Sequence, residues 1–312
     1  MRVAYLILAH NHPNHLQRLI TALSSNLSAC FIHIDRKSDL DLFSGIHGHN
    51  VYFSEKRIPV YWGDFSQVKA ILSLLKMALS QRPKFDYFVL ISGTDFPLKS
   101  AAGIENFFDR NHGTEFINLV QMPCEAMGKP ISRLTTYKVR PSNSRLIRIL
   151  RKGMVKLGAT PKQRNYDAYL RGLIPYGGST WWALSRPACE YIQNFVSRET
   201  RIVNFFKNTI CPDESFFQTI LGNSPYKAKV GRNLTYTDWS EGGGSPVSLT
   251  DKHLQFFAAN PSIVVSDGYG TGEVIFARKF SDEAQDIVAE LEQLIRQREG
   301  LIDNSPPQSL DR

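Results

Sequence analysis

Pro212-Asp213-Glu214 places two carboxylates directly behind a proline, the residue favoured at the first position of a helix. Two readings of Glu214 follow. Acidic residues in a first turn complement the helix dipole, whereas a carboxylate at the edge of a cleft acts as a general base, worth roughly 10²–10⁴ in rate. Arg278-Lys279 comes shortly after the apolar Val274-Ile275-Phe276. It reads either as a surface pair or as a cationic clamp, in which Arg offers a fork and Lys a point charge. Such a clamp can neutralise a leaving diphosphate in place of a divalent ion. Trp62, Trp181, Trp182 and Trp239 lie beside Gly, Ser or Asp. Aromatic rings so placed serve as sugar platforms or, more commonly, as core.

Other chemistries find little support. His10-Asn11-His12 could begin a metal site, but beyond His112 the only histidine is His253, too few ligands for a metal hydrolase. Asp39-Leu40-Asp41 matches a D-x-D metal motif, yet it lies four residues past a predicted strand end and reads as a solvated turn. There is no G-x-x-x-x-G-K-[ST], no G-x-G-x-x-G after the first strand and no G-x-S-x-G elbow. The glycines at 242–244 and 268–272 fit loops.

The elements that must position these residues follow from periodicity. VAYLILA, ending before His10, is a buried strand; Leu16, Leu19, Ile20 and Leu23 mark a helix; CFIHID is a strand ending at Asp35. VYFS is a third strand. Asp64 and Gln67 have capping-box spacing before a helix carrying Val68, Ile71, Leu72 and Leu75. YFVLIS runs into Ser92-Gly93-Thr94-Asp95, residues 101–110 read as a helix, and EFINLV and TWWALS as strands. A helix is expected near Pro212, a loop over 231–250 and a helix from Ser281. This order implies an α/β fold with a mostly parallel sheet flanked by helices. Ligands then sit at the carboxyl ends of strands, near His10, Asp35 and Asp95.

The chain has 312 residues, 42% hydrophobic and 21% charged. That excludes a disordered chain and a disulfide-stapled miniprotein. The arithmetic allows two domains of roughly 150 residues or one large unit. No linker or repeat separates two, so we read one domain over 1–300 and a disordered tail over 301–312. No apolar run nears the roughly 20 residues of a membrane span. Four cysteines without a C-x-x-C pair fit a reducing compartment. The net charge is +8, and ten Lys/Arg with no acid lie between Arg133 and Arg164; +8 less those ten leaves −2 for the rest. The basic segment 133–171, with apolar Leu146, Ile149, Leu150, Met154 and Leu157, reads as a solvated cationic face or as a contact with an anionic membrane surface or glycan. A nucleic-acid-binding protein is a different-class alternative, but no recognition motif accompanies the charge, so no nucleic acid is expected.

Seven ordered stretches resemble the core-2/I-branching β-1,6-N-acetylglucosaminyltransferase family, which includes the peptide O-xylosyltransferases. They are AYLILAHNHPNHLQRLI, FIHIDRKS, VYWGDFSQVKAIL, YFVLISGTDFPLKS, GGSTWWALSR, CPDESFFQTIL, and TDWSEGGGSP followed by FARKF. The resemblance implies a GT-A-type, Rossmann-like fold and inverting transfer from a UDP-sugar to a hydroxyl of a glycan or lipid-linked glycan, giving a β-linkage. It makes Glu214 the catalytic base and Arg278 and Lys279 the diphosphate ligands, with no metal or other cofactor. It puts His10, Asp35, Trp62 and Asp95 at the donor nucleotide and sugar, and Asp238 and Trp239 at the acceptor. N-acetylglucosamine is the default donor sugar and xylose the alternative; a catalytically inert glycan-binding relative is a further one. Beginning at the first strand with few cysteines, unlike the anchored animal members, the chain is similar to a bacterial form. Its expected place is the cytoplasm, peripheral on the inner face of the membrane, in surface polysaccharide or lipid-linked glycan synthesis.

Overall fold

Side chains of a strand alternate between two faces, and three central strands are apolar on both. In β1 (Val3–Ala9), Val3, Tyr5, Ile7 and Ala9 enter one core and Ala4 and Leu6 the other. In β2 (Ser28–Ile34), Cys30, Ile32 and Ile34 oppose Ala29 and Phe31; in β4 (Tyr87–Ser92), Tyr87, Val89 and Ile91 oppose Phe88 and Leu90. Strands of this kind must be covered twice. The computed structural model, which describes residues 1–139, 149–150, 153, 158 and 163–303, shows that cover.

On the first face lie α1 (Pro13–Leu23), α3 (Ala101–Arg110) and the helix Gln285–Asp303, through Leu16, Leu19, Ile104, Phe108, Val288 and Leu291. On the second lie α2 (Phe65–Leu79) and the helices Arg186–Arg198, Thr200–Phe206 and Phe216–Gly222, through Val68, Ile71, Ile192, Phe206, Phe217 and Ile220. Each such side chain, fully buried, contributes about 1.5–3 kcal/mol relative to exposure. α2 starts at an Asp64 cap whose carboxylate accepts from the Ser66 amide at 2.8 Å, rather than through a reciprocal pair with Gln67.

The remaining strands are β3 (Val51–Phe53), β5 (Asp95–Pro97), β6 (Glu115–Ile117), β7 (Val120–Gln121), β8 (Tyr176–Gly177), β9 (Trp182–Ser185), β10 (Val230–Gly231), β11 (Thr235–Thr237), β12 (Ile263–Asp267), β13 (Gly270–Val274) and β14 (Phe276–Arg278). The main sheet has the order β10-β6-β9-β4-β1-β2-β3. β1 pairs in parallel with β2 and β4, and β2 with β3. β9 is antiparallel to β4 and β6. This is the mostly parallel sheet flanked by helices expected from the sequence. β11, β14 and β5 form a second sheet in that order, β12 and β13 a hairpin, and β7 and β8 a short ladder.

The EFINLV stretch is two strands, not one. The ladder with β9 stops at Ile117. Asn118 turns aside to accept the Asn233 amide at 2.8 Å, and pairing resumes between β7 and β8. Within 231–250, where a loop was expected, Thr235–Thr237 pairs with β14. None of the described helices is long and apolar enough to cross a membrane. Residues 304–312, most of the expected tail, lie outside the described residues, and the last helix continues to Asp303.

Candidate active site

Because β9 runs antiparallel to β4, its first residue, Trp182, pairs with Leu90 near the carboxyl end of β4. The segment Gly178–Trp181 therefore lies at the sheet edge where β1, β2 and β4 deliver His10, Asp35 and Asp95. Gly178 has to be glycine, since a Cβ there would stand 1.8 Å from the Asn118 carbonyl oxygen. Its amide donates to the Glu214 carbonyl at 2.9 Å. Thr180 donates to the Asp213 carboxylate at 2.7 Å, and the Trp181 ring carries the Arg278 guanidinium 4.4 Å from its centroid. One short segment thus holds both candidate groups, the Pro212–Glu214 carboxylates and Arg278.

Glu214 does not sit in the first turn of a continuous helix. Cys211 is left-handed at φ 49°, Pro212–Glu214 form one 3-10 turn, and Ser215 at φ −144° separates that turn from the helix beginning at Phe216. The dipole reading loses its geometry. The Oε2 of Glu214 instead accepts from Lys129 Nζ and from Arg133 Nη1, each at 2.5 Å. Burial pushes this carboxyl up, and the two cations outweigh burial and hold it below its ordinary value. Among the described residues Oε1 has no hydrogen-bond partner, and the side chain keeps 29% of its exposure. The buried neighbour Asp213 behaves oppositely. Burial, then the Glu214 charge, raises it to about 6, against the Thr180 hydroxyl.

Arg278 faces Asp95 across the β14–β5 ladder, where the two are register partners. Its Nε stands 3.2 Å from Asp95 Oδ1. Neither atom has a well-aligned hydrogen bond, so the contact is one of charge. Asp95 is fully buried; burial raises it to about 6 against Arg278 and the Ser92 amide, which donates to Oδ2 at 3.1 Å. Stacking and the ion pair leave both Nη groups of Arg278 without a protein partner among the described residues. Lys279, joined to Arg278 by a cis peptide, donates from Nζ to Ser245 in the 238–249 loop at 3.0 Å.

Asp35 is buried beside the end of β1, its amide donating to the Ala9 carbonyl and its Oδ1 accepting from the Lys37 and Val60 amides. His10 is exposed next to it. Trp62 is 78% exposed, with Lys138 Nζ 6.0 Å from its ring centroid. Asp238 is turned inward. Its Oδ2 meets His253 Nε2 at 2.9 Å and its Oδ1 accepts the Ser240 amide, contacts that lower it to about 2. Trp239 projects outward, 53% exposed, with Nε1 donating to Thr237. Of the expected acceptor pair, Trp239 alone presents its side chain to solvent.

Lys129, Arg133 and Tyr269 were not singled out by sequence. Burial, then the charges of Glu214 and Asp267, raise the Tyr269 phenol. Arg133 belonged to the segment read as a separate basic face. Three of the ten cations of 133–164 are among the described residues. Arg133 binds Glu214, Lys138 donates to the Trp62 and Gly63 carbonyls, and Arg164 lies on the Phe205 ring. The other seven, with Leu146, Met154 and Leu157, lie outside the described residues; Ile149 and Leu150 are exposed. The four cysteines are free. Among the described residues no three His, Cys, Asp or Glu gather as metal ligands. His12 accepts the Asp282 amide, and Asp39 caps the Asp41 amide.

A family model described as Core-2/I-Branching enzyme matches residues 3–257. Xylosyltransferase 2 of Rattus norvegicus is 28% identical over 252 residues, which are 77% of this chain and 27% of that protein. Xylosyltransferase oxt of Drosophila pseudoobscura pseudoobscura is 24% identical over 298 residues, 90% of this chain and 32% of that one. The chain thus spans about a third or less of the curated relatives it matches. Among solved structures, a 4-diphosphocytidyl-2C-methyl-D-erythritol synthase from Anaerococcus prevotii covers 66% of this chain and 83% of its own, with a TM-score of 0.30 and 11% identity. The fold assignment rests on the strand order, not on that superposition.

Proposed function

The chain belongs to the Core-2/I-branching enzyme family, which consists of glycosyltransferases, and on that premise we propose that it moves a sugar from a UDP-sugar to a glycan hydroxyl with inversion. The observation that carries the proposal is the state of Glu214. One carboxylate oxygen is fixed by two cations, the other is open, and the group is ionised at neutral pH. A positioned, ionised carboxylate is what deprotonation of an attacking hydroxyl requires.

In the proposed step, the acceptor oxygen attacks the anomeric carbon as Glu214 takes its proton. The bond from that carbon to the phosphate oxygen breaks, and UDP leaves from the opposite face with the electron pair. An α-linked donor gives a β-linked product. The free Nη groups of Arg278 and the ammonium of Lys279 meet the charge growing on the diphosphate. Asp95 holds Arg278 in place, while Asp35, His10 and Trp62 line the nucleotide end. An acceptor hydroxyl that engages Lys129 or Arg133 draws their hydrogen bonds away from Glu214 and raises its basicity as the proton is taken. Trp239 serves as a ring platform for the acceptor.

N-acetylglucosamine is the first donor sugar to test. The names of the relatives favour a second reading, xylose. A UDP-release screen over UDP-N-acetylglucosamine, UDP-xylose, UDP-glucose and UDP-galactose, with and without chelator, tests the proposal. Release from one donor that depends on an added glycan acceptor is expected. No release from any donor, with any acceptor, would refute it.

A further inference from the structure

A cleft of 620 Å³ lies between Tyr137, Arg164 and Tyr169 on one side and the helix Thr200–Phe206 on the other. That volume is in the range of small-ligand sites. Its described lining contains two arginines, Arg164 and Arg201, and no acid. The Arg164 guanidinium lies over Phe205, 4.0 Å from the ring centroid, and 5.7 Å from the centroids of Tyr137 and Tyr169. Its Nη2 donates to the Phe205 carbonyl at 2.9 Å, while Nη1 is buried without a partner. Burial lowers its pKa, against the two tyrosines. Arg201 also lies over the Tyr169 ring, 5.6 Å from its centroid, and donates from Nη2 to the Ala168 carbonyl at 3.0 Å. Asn204 and Asn208 complete the wall.

Nη1 of Arg164 is enclosed by protein, so the cleft meets Arg164 through its charge and meets the exposed Arg201 directly. Tyrosine faces beside amides suit a sugar ring, and two arginines with no acid beside them suit a carboxylate on it. We propose that this cleft binds an acidic sugar, a uronate-type residue of a glycan.

Its place in the fold gives that site a use. Arg133 accepts the Ile210 amide on its carbonyl, and the Lys138 amide donates to Asn208. Segment 133–138 therefore runs beside 208–210, with the partner of Glu214 at one end and the cleft at the other. Four Cα–Cα steps separate Arg133 from Tyr137, at most about 15 Å. An acidic residue held in the cleft keeps a neighbouring part of the same glycan near Glu214. In this role the site rests on the acceptor reading above, but its binding chemistry does not.

The test is direct binding without donor. A glucuronate–N-acetylglucosamine disaccharide and its uncharged methyl ester are titrated into the full chain by calorimetry, with saturation-transfer NMR as a second readout. The acid is expected to bind at least tenfold more tightly than the ester. Arg201→Gln and Asn204→Ala, both at exposed positions, are expected to weaken the acid severalfold, and Arg164→Met to abolish binding. Circular dichroism and thermal midpoints check that each variant is folded. Equal binding of acid and ester, no binding of either, or wild-type binding by all three folded variants would overturn the proposal. So would Arg-dependent binding to phosphatidylglycerol vesicles without binding of the disaccharide, which would make this a membrane contact. UDP release is measured separately, so failure of transfer leaves the binding result standing.

Discussion

Arg133 stands 81 residues before Glu214 and donates from Nη1 to its Oε2 at 2.5 Å. Lys129 donates to the same oxygen. The carboxylate is thereby kept ionised although it is largely enclosed, and one of its oxygens is kept open.

That relationship predicts a shift in pH dependence. Glu214 is held below its usual value of 4.5 by two cations working against burial. A base is active when ionised, so the acid limb of kcat/KM lies below pH 4.5 in the wild type. Removing one cation by Lys129→Met or Arg133→Gln leaves burial less opposed and moves the limb upward. A pH–rate profile of each variant should show the limb displaced to higher pH. An unmoved limb would mean that Glu214 does not set it.

Arg278 and Lys279 should part company in their effects. Arg278 is packed on Trp181 and paired with the fully buried Asp95. Arg278→Met leaves Asp95 without its cation and should lower stability by about 3–5 kcal/mol. Among the described residues, Lys279 bonds only the Ser245 hydroxyl through its ammonium. Lys279→Met should leave the urea midpoint nearly unchanged and weaken UDP by about 10–100-fold, the worth of a charged hydrogen bond. Urea melts and UDP titrations of both variants separate the two roles.

Asp213 and Asp95 are both raised to about 6 by burial. A carboxyl with a raised folded value binds its proton more tightly in the folded state. Stability from these groups is therefore greatest below pH 4 and falls as the pH rises through about 6. Asp213→Asn keeps an acceptor for the Thr180 hydroxyl and removes the charge. It should stabilise the protein at pH 7 by up to about 3 kcal/mol and change little at pH 4. Urea midpoints at the two pH values check this.

The elements were more legible than the contacts between them. β1, β2 and β4 announce themselves because both their faces are apolar, and the edge where His10, Asp35 and Asp95 emerge follows from that. Strand breaks were less visible: nothing local to EFINLV signals that Asn118 bonds Asn233. The break after Glu214 depends on the backbone of Cys211 and Ser215, which Pro212 masks in the sequence. Lys129 and Arg133 carry no motif, and their meaning comes from long-range pairing with Glu214. The surplus of cations between Arg133 and Arg164 was readable as charge, but not the pairing of Arg133 with one distant carboxylate.

Positive charge at the leaving diphosphate is assigned to Arg278 and Lys279. Turnover in excess EDTA should accordingly stay within twofold of that in Mn²⁺ or Mg²⁺. Loss of activity with chelator and its return with metal would reassign that charge to an ion.

The most direct test is Glu214→Gln, which keeps an oxygen acceptor for Lys129 and Arg133 while removing the base. With the preferred donor and acceptor, single-turnover UDP release should fall by about 10²–10⁴, while UDP affinity stays within a few-fold of wild type. Turnover by the folded variant within a few-fold of wild type would contradict the assignment of Glu214 as the base.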